Sequence, residues 1–116
     1  MADRFRLDGK VAIITGASSG LGVAIARDFA TAGADVALGA RAGRQARGGR
    51  ALAVSTDVAD PDSCTGLVQA AYERFGRVDV LVNNAGVREW VPASRETPEQ
   101  FRGVLDVNLM GSYWMA

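Results

Sequence analysis

Two short stretches of this 116-residue sequence carry the residue types that binding a phosphate-bearing ligand requires. The first is Thr15-Gly16-Ala17-Ser18-Ser19-Gly20-Leu21-Gly22, which follows the apolar run Val11-Ala12-Ile13-Ile14 and opens a helical pattern. Glycines here let the backbone turn sharply and let a pyrophosphate approach with no Cβ in the way. The free N–H groups at a helix start, at the positive end of its dipole, stabilise phosphate charge. The competing reading is a plain strand-to-helix turn rich in small residues, and the strand–turn–helix context favours phosphate binding over it. The spacing is GxxxGxG rather than the commoner GxGxxG. The second stretch is Asn83-Asn84-Ala85-Gly86, behind the apolar run Val78 to Val82. It reads as a tight turn closing a buried strand, and Gly86 also leaves room there for a ligand.

Other chemistries are excluded by composition. The sequence has no histidine, which removes histidine acid–base catalysis and any His-containing zinc site, and no metal site is expected. Twelve of the 13 basic residues are arginines, so a mechanism needing a lysine would have to use Lys10. Formal net charge is zero, so neither nucleic acid nor an acidic membrane surface is indicated as a partner. The single cysteine, Cys64, has no intramolecular disulfide partner and suits a reducing compartment. Residues 1–8 are polar and of mixed charge, unlike a signal or transit peptide, and no apolar run approaches the ~20 residues that span a bilayer. The reading is a soluble, cytoplasmic protein.

The elements that must position the two turns alternate. Val11–Ile14 reads as a strand buried on both faces. Leu21 to Ala32 reads as a helix with Leu21, Ala24, Ile25 and Phe29 on one face and Gly33 as its cap. Val36–Leu38 and Ala51–Val54 are further strands. Asp60-Pro61 opens a second helix, which packs through Cys64, Leu67, Val68, Ala71 and Phe75 and ends at Gly76. Val78–Val82 is the fourth strand. Thr97-Pro98 opens a last helix with Phe101, Val104, Leu105 and Asn108 on one face. This order predicts an α/β fold with a parallel sheet and helical crossovers. Residues 41–50, with four arginines and three glycines, have almost no apolar face, so a shortened or missing helix is expected there.

The TGxxxGxG turn, the NNAG turn after the fourth strand, Asp57-Val58 after the third and Asn108 in the last helix together resemble the short-chain dehydrogenase/reductase family, in its "classical" branch. A flavodoxin-like or receiver domain shares the alternation but does not account for the paired turns. The resemblance runs from about Leu7 onward. It implies a Rossmann-type doubly wound parallel sheet, here with strands in order 3-2-1-4, and reads residues 1–116 as a single NAD(P)-binding domain. It places Gly16, Ser18, Ser19, Gly20, Leu21 and Gly22 along the pyrophosphate and adjacent ribose. Asp57 would bond the adenine amino group with Val58 beside the ring, although Asp at a strand end is also a common turn former. Asn83, Asn84, Ala85 and Gly86 would run along the middle of the cofactor. Asn108 is the one member of the catalytic tetrad in the sequence. A polar residue on that helix face must find a partner, and a buried Asn bonding a backbone group is compatible with that role.

Cofactor choice follows from the end of the second strand. NAD sites place a carboxylate there for the ribose 2′-hydroxyl. This sequence has Leu38-Gly39-Ala40-Arg41. Arg41 offers a fork of donors to a 2′-phosphate, or else belongs to a surface loop with Arg44, Arg47 and Arg50. NADP(H) is expected ahead of NAD(H). The Tyr-x-x-x-Lys pair that the family uses as acid and base does not occur: Gly76 stands four residues after Tyr72, and Tyr113 has no fourth successor in the sequence. Trp90, after the second turn, either meets substrate or covers a helix.

The expectation is therefore an N-terminal fragment of an NAD(P)-dependent oxidoreductase that interconverts a carbonyl and a secondary alcohol, inactive by itself. The alternative is a non-catalytic nucleotide-binding remnant. As a fragment it would expose the fourth strand as a sheet edge, and Leu109, Met110 and Trp114 as contact surface. At full length the family resemblance implies a dimer or tetramer acting on a small molecule.

Overall fold

The computed structural model describes residues 3–17, 20–40, 50–87 and 91–116. Strands β1 (Val11–Thr15), β2 (Asp35–Ala40), β3 (Ala51–Ser55) and β4 (Val80–Val82) form one parallel sheet in the order β3-β2-β1-β4. Helices α1 (Gly20–Thr31), α2 (Pro61–Phe75), α3 (Pro98–Leu105) and α4 (Gly111–Met115) connect and follow the strands, with a π-helical turn, Asp106–Met110, between the last two. None of the described helices is long and apolar enough to cross a membrane.

Side chains alternate across a strand, so one continuous apolar run can feed two cores. Ala12, Ile14 and Val36 face α1 and pack with Ala17, Ala26 and Ala34. Ile13 and Ala37 face the opposite side and pack with Cys64, Leu67, Ala71, Val58 and Met115. Helices therefore cover both faces of the sheet, the doubly wound arrangement that the motifs imply. Register places Ile13 between Ala37 and Leu81, and Thr15 beside Gly39, so the carboxyl ends of β1 and β2 finish level.

The helix signals act as their chemistry dictates. Asp60 Oδ1 accepts from the Asp62 amide at 3.0 Å, and Gly76, in the left-handed region at φ 81°, donates its N–H to the Tyr72 carbonyl. Thr97 and Gln100 form a reciprocal capping box, with bonds of 3.1 and 2.9 Å.

Three expectations need correction. The buried face of α1 is Gly22 and Ala26 with Ile25 and Phe29 behind them, whereas Leu21 (69% exposed) and Ala24 face out. The helix begins at Gly20, so its first turn belongs to the glycine-rich segment and not to the apolar pattern. The fourth strand begins at Val80: Val78 is exposed and Asp79 is diverted to other bonds. The last helix is interrupted by the π-turn. Leu109 and Trp114 are exposed as expected, but Met110 is half-buried, Phe101 is exposed although the pattern sets it on the packed face, and Met115 turns inward at 5% exposure against α2. Of the segment 41–50 expected to lack a full helix, residues 41–49 lie outside the described residues, as does Trp90.

Asp79 ties the start of β4 to the start of β1. Its Oδ2 accepts from the Val11 amide at 2.8 Å, its backbone N–H donates to the Val11 carbonyl at 2.9 Å, and Arg77 bonds its Oδ1 at 2.6 Å. The Arg77 guanidinium, and after it the Val11 amide, hold the Asp79 carboxyl below its ordinary value. A depressed carboxylate contributes stability that is complete above the ordinary value near 3.8 and is lost as pH falls through the lower folded value. The thermal midpoint of Asp79→Asn should therefore lie below that of the native chain at pH 7 and begin to approach it only as pH falls below about 3.8. A gap of constant size from pH 7 to pH 2.5 would sink this assignment.

Candidate functional site

The turns that follow β1 and β4 meet at the carboxyl edge of the sheet, where open α/β sheets bind ligands. Thr15, the last residue of β1, is 1% exposed, and its hydroxyl accepts from the Asn84 and Ala85 amides, both at 3.1 Å. The same hydroxyl donates to the Val82 carbonyl at 3.4 Å. Asn84 Nδ2 donates to the Gly16 carbonyl at 3.1 Å, and the Gly16 amide donates to the Gly39 carbonyl at 2.8 Å. The ends of β1, β2 and β4 are thus stitched by side chains and backbone of three segments far apart in sequence.

Contact between the turns is too close for side chains. A Cβ on Gly16, which has φ +67°, would lie 2.8 Å from Ala85 Cα. One on Gly22 would strike the Gly16 carbonyl and lie 2.6 Å from Asn84 Nδ2. Gly20, at φ +57°, has nothing within 4 Å of where its Cβ would project and faces open space. The result is a cavity of about 370 Å³ above a floor of bare backbone. It is lined by Gly16, Gly20 and Leu21 after β1, by Asn84, Ala85 and Gly86 after β4, and by Asp57 and Val58 after β3. The first turn of α1 carries no acidic residue, so nothing offsets the positive end of its dipole there.

Asp57 holds its own turn: Oδ1 accepts from the Ala59 amide at 3.0 Å, and its N–H donates to the Ser63 hydroxyl at 2.9 Å. Both readings of this residue coexist, since it shapes a turn and also lines the cavity. Burial, with the charges of Asp60 and Asp57 beside it, pushes the Cys64 thiol up, so this fully buried group is a core residue and not a nucleophile.

Asn108 sits in the π-turn, a kind of helix defect frequent at functional sites. Its Oδ1 accepts from the Val87 amide and its Nδ2 donates to the Val87 carbonyl, both at 2.8 Å. The backbone partner expected for it is present, but the residue is exposed rather than buried. Lys10, at the opposite end of β1, is remote from the cavity, consistent with its place before the strand.

Of the residues singled out from sequence, Gly16, Gly20, Leu21, Asp57, Val58, Asn84, Ala85 and Gly86 converge on one cavity. Gly22 lies buried beneath it, Asn83 is exposed and not part of its lining, and Asn108 braces its rim through Val87. Ser18, Ser19 and Arg41 lie outside the described residues. Sequence reasoning assigned no role to Thr15, Gly39, Thr56 or Val107, of which the last three line the cavity. The available signal was a threonine ending an otherwise apolar strand, whose buried hydroxyl must find partners.

The family model described as short chain dehydrogenase matches residues 10–116. The chain belongs to that family. It is 45% identical to an uncharacterized oxidoreductase of Methylorubrum extorquens, over 91% of this chain and 47% of that protein. It is 41% identical to a D-threitol dehydrogenase of Mycolicibacterium smegmatis, over 96% and 46%. A 3-ketoacyl-(acyl-carrier-protein) reductase from Brucella melitensis, solved in complex with NADH, superposes with a TM-score of 0.89 at 41% identity, covering 94% of this chain and 48% of its own. The chain thus spans about half the length of the curated short-chain dehydrogenase relatives it matches.

If the Thr15 hydroxyl is what joins the two turns, Thr15→Val, equal in shape, leaves the Ala85 amide without its acceptor and the Asn84 amide with the Val82 carbonyl alone. That should cost about 1–3 kcal/mol and speed hydrogen exchange at Ala85 more than at Asn84, while Thr15→Ser keeps Ala85 protected. Equal exchange in all three proteins would show that the hydroxyl is not the joint.

Proposed function

We propose that this chain forms the dinucleotide-binding part of an NAD(P)-dependent oxidoreductase, with the cavity between the two turns as the seat of the cofactor. The observation that carries this reading is the approach of Gly16 and Gly22 to Asn84 and Ala85, which leaves bare backbone where a phosphate has to come close. The residues fit a dinucleotide. Gly16, Ser18, Ser19, Gly20, Leu21 and Gly22 would hold the pyrophosphate and adjacent ribose with backbone N–H groups and hydroxyls. Asp57 and Val58 would take the adenine, and Asn83, Asn84, Ala85 and Gly86 the middle of the molecule.

Bound there, a nicotinamide cofactor supplies or accepts the hydride that interconverts a carbonyl and a secondary alcohol. The chain's own residues bind and orient. Asn108 fixes the backbone of Val87 at the cavity rim, and in this reading it is the catalytic residue of the group. Tyr-x-x-x-Lys does not occur among these 116 residues, so the chain by itself binds the cofactor without turning substrate over. The substrate of the whole protein is a small carbonyl or alcohol, the class to which the D-threitol handled by the mycobacterial relative belongs. The single buried thiol suits the cytoplasm, and the exposed Leu109, Tyr113 and Trp114 suit an oligomer.

NADP(H) is the preferred cofactor because residues 38–41 offer an arginine and no carboxylate. The NADH in the Brucella reductase speaks for the other dinucleotide in that protein. Titrating NADPH and NADH into the chain, followed by nicotinamide fluorescence, separates the readings. NADPH should bind about tenfold or more tightly than NADH, the scale of a charge-assisted bond to a phosphate, and Arg41→Ala should erase that difference. Equal affinities in the native chain would reassign the cofactor as NAD(H), and no binding of either would remove the cofactor reading altogether.

A further inference from the structure

Glycine inside a helix costs roughly 1 kcal/mol relative to alanine, so each one asks for a reason. Gly66 in α2 and Gly103 in α3 have nothing within 4 Å of where a Cβ would stand. Gly111, at the head of α4, is different. It is buried, and a Cβ there would lie 2.7 Å from Val58 Cγ2, 3.1 Å from Val58 Cβ and 3.3 Å from the Val58 carbonyl oxygen. Neither partner can yield easily. Val58 is 7% exposed in a turn fixed by the Asp57–Ala59 bond, and its carbonyl accepts from the Cys64 thiol. Helix α4 is pinned one turn later by Met115, buried against α2.

Val58, Val87 and Val107 all line the cavity. Asn108, one turn before Gly111, grips Val87 by both its N–H and its carbonyl. A single rigid link therefore runs from Val58 through the backbone of Gly111 to Asn108 and Val87. We propose that Gly111 is a positioning residue that sets the width of the cavity between Val58 and Val87. A methyl group at 111, blocked by Val58 and held back at Met115, lifts the Asn108 end of the helix and loosens its grip on Val87. The link itself stands on the geometry alone; its effect on ligand rests on the dinucleotide reading given above.

Hydrogen exchange at the Val87 amide in the ligand-free chain is the direct measurement, with NADPH affinity as a second readout. Gly111→Ala should speed Val87 exchange by about tenfold and weaken NADPH binding by a similar factor, the usual scale of overpacking. Gly103→Ala, where space is open, should change neither. Val58→Ala removes the atom nearest the added methyl, so the double variant Val58→Ala/Gly111→Ala should exchange at Val87 no faster than Val58→Ala alone. A purely helical role for Gly111 makes the opposite forecast, since alanine would then protect the segment better. Unchanged or slower Val87 exchange in Gly111→Ala, or the same acceleration in Gly103→Ala, overturns the proposal. If Gly111→Ala does not fold, the comparison of the double variant with Val58→Ala decides: equal rates support the link and a faster double variant refutes it. If NADPH binds none of the proteins, the cofactor reading fails while the exchange rates still judge Gly111.

Discussion

One buried hydroxyl holds the working edge of this molecule together. Thr15 ends a strand whose other residues are apolar, and its Oγ1 takes two amides of the second turn while giving its proton to the carbonyl at the end of β4. A valine would fill the same space, but only a hydroxyl can both accept and donate there. Because β4 pairs with β1 over just three residues, this side-chain joint extends the sheet's order past its last ladder bond. The closeness of Gly16 and Gly22 to Asn84 and Ala85 is a consequence, and the cavity floor is a consequence of that closeness. Local dipoles, helix start and backbone turn all become useful to a ligand only once the two turns are fixed relative to each other.

Much of this is legible in the amino-acid sequence. The apolar runs locate the strands and Asp60-Pro61, Thr97-Pro98 and Gly76 locate helix ends, because caps act through bonds that reach only two to four residues. The two glycine turns identify where a phosphate could approach. What could not be read were features decided by distant partners. Leu21 and Ala24 match a helical face by spacing, yet the face that packs is set by where β1 and β2 lie, and small Gly22 and Ala26 serve closer contact. The apolar run would open the strand at Val78, but Asp79 is claimed by Val11 and Arg77 and the ladder begins two residues later, at Val80. The π-turn at Asp106–Met110 leaves no mark in a pattern of three and four, and it sets Asn108 in the widened turn while Gly111 settles on Val58.

The distribution of charge follows the same economy of reach. Asp35, 8% exposed at the start of β2, is met by Arg50 just before β3, and Asp79 by Arg77 just before β4, so at both places an arginine answers the carboxylate at the amino end of the sheet. Such pairs on open surface add little stability by themselves. The Arg50–Asp35 pair joins the start of β3 to the start of β2, whereas Arg77 holds the Asp79 carboxylate that reaches the Val11 amide at the start of β1. The opposite edge, where the cavity lies, has Asp57 as its carboxylate among the lining residues.

The interior is notable for what fills it. Ala12, Ala17, Ala26, Ala32, Ala34, Ala37 and Ala71 are all buried, and the large fully enclosed side chains are few. Layers made of such short side chains stand close, and their spacing is set by backbone against backbone more than by interlocking bulk. Mutational tolerance should therefore be lopsided: this core has little volume to lose by truncation and much to lose by growth. Random variation would be filtered chiefly by size, with enlargements at the sheet–helix seam rejected well before changes in polarity at the rim. Most of these alanines line no cavity, so it is geometry and not a ligand that holds them to a small size.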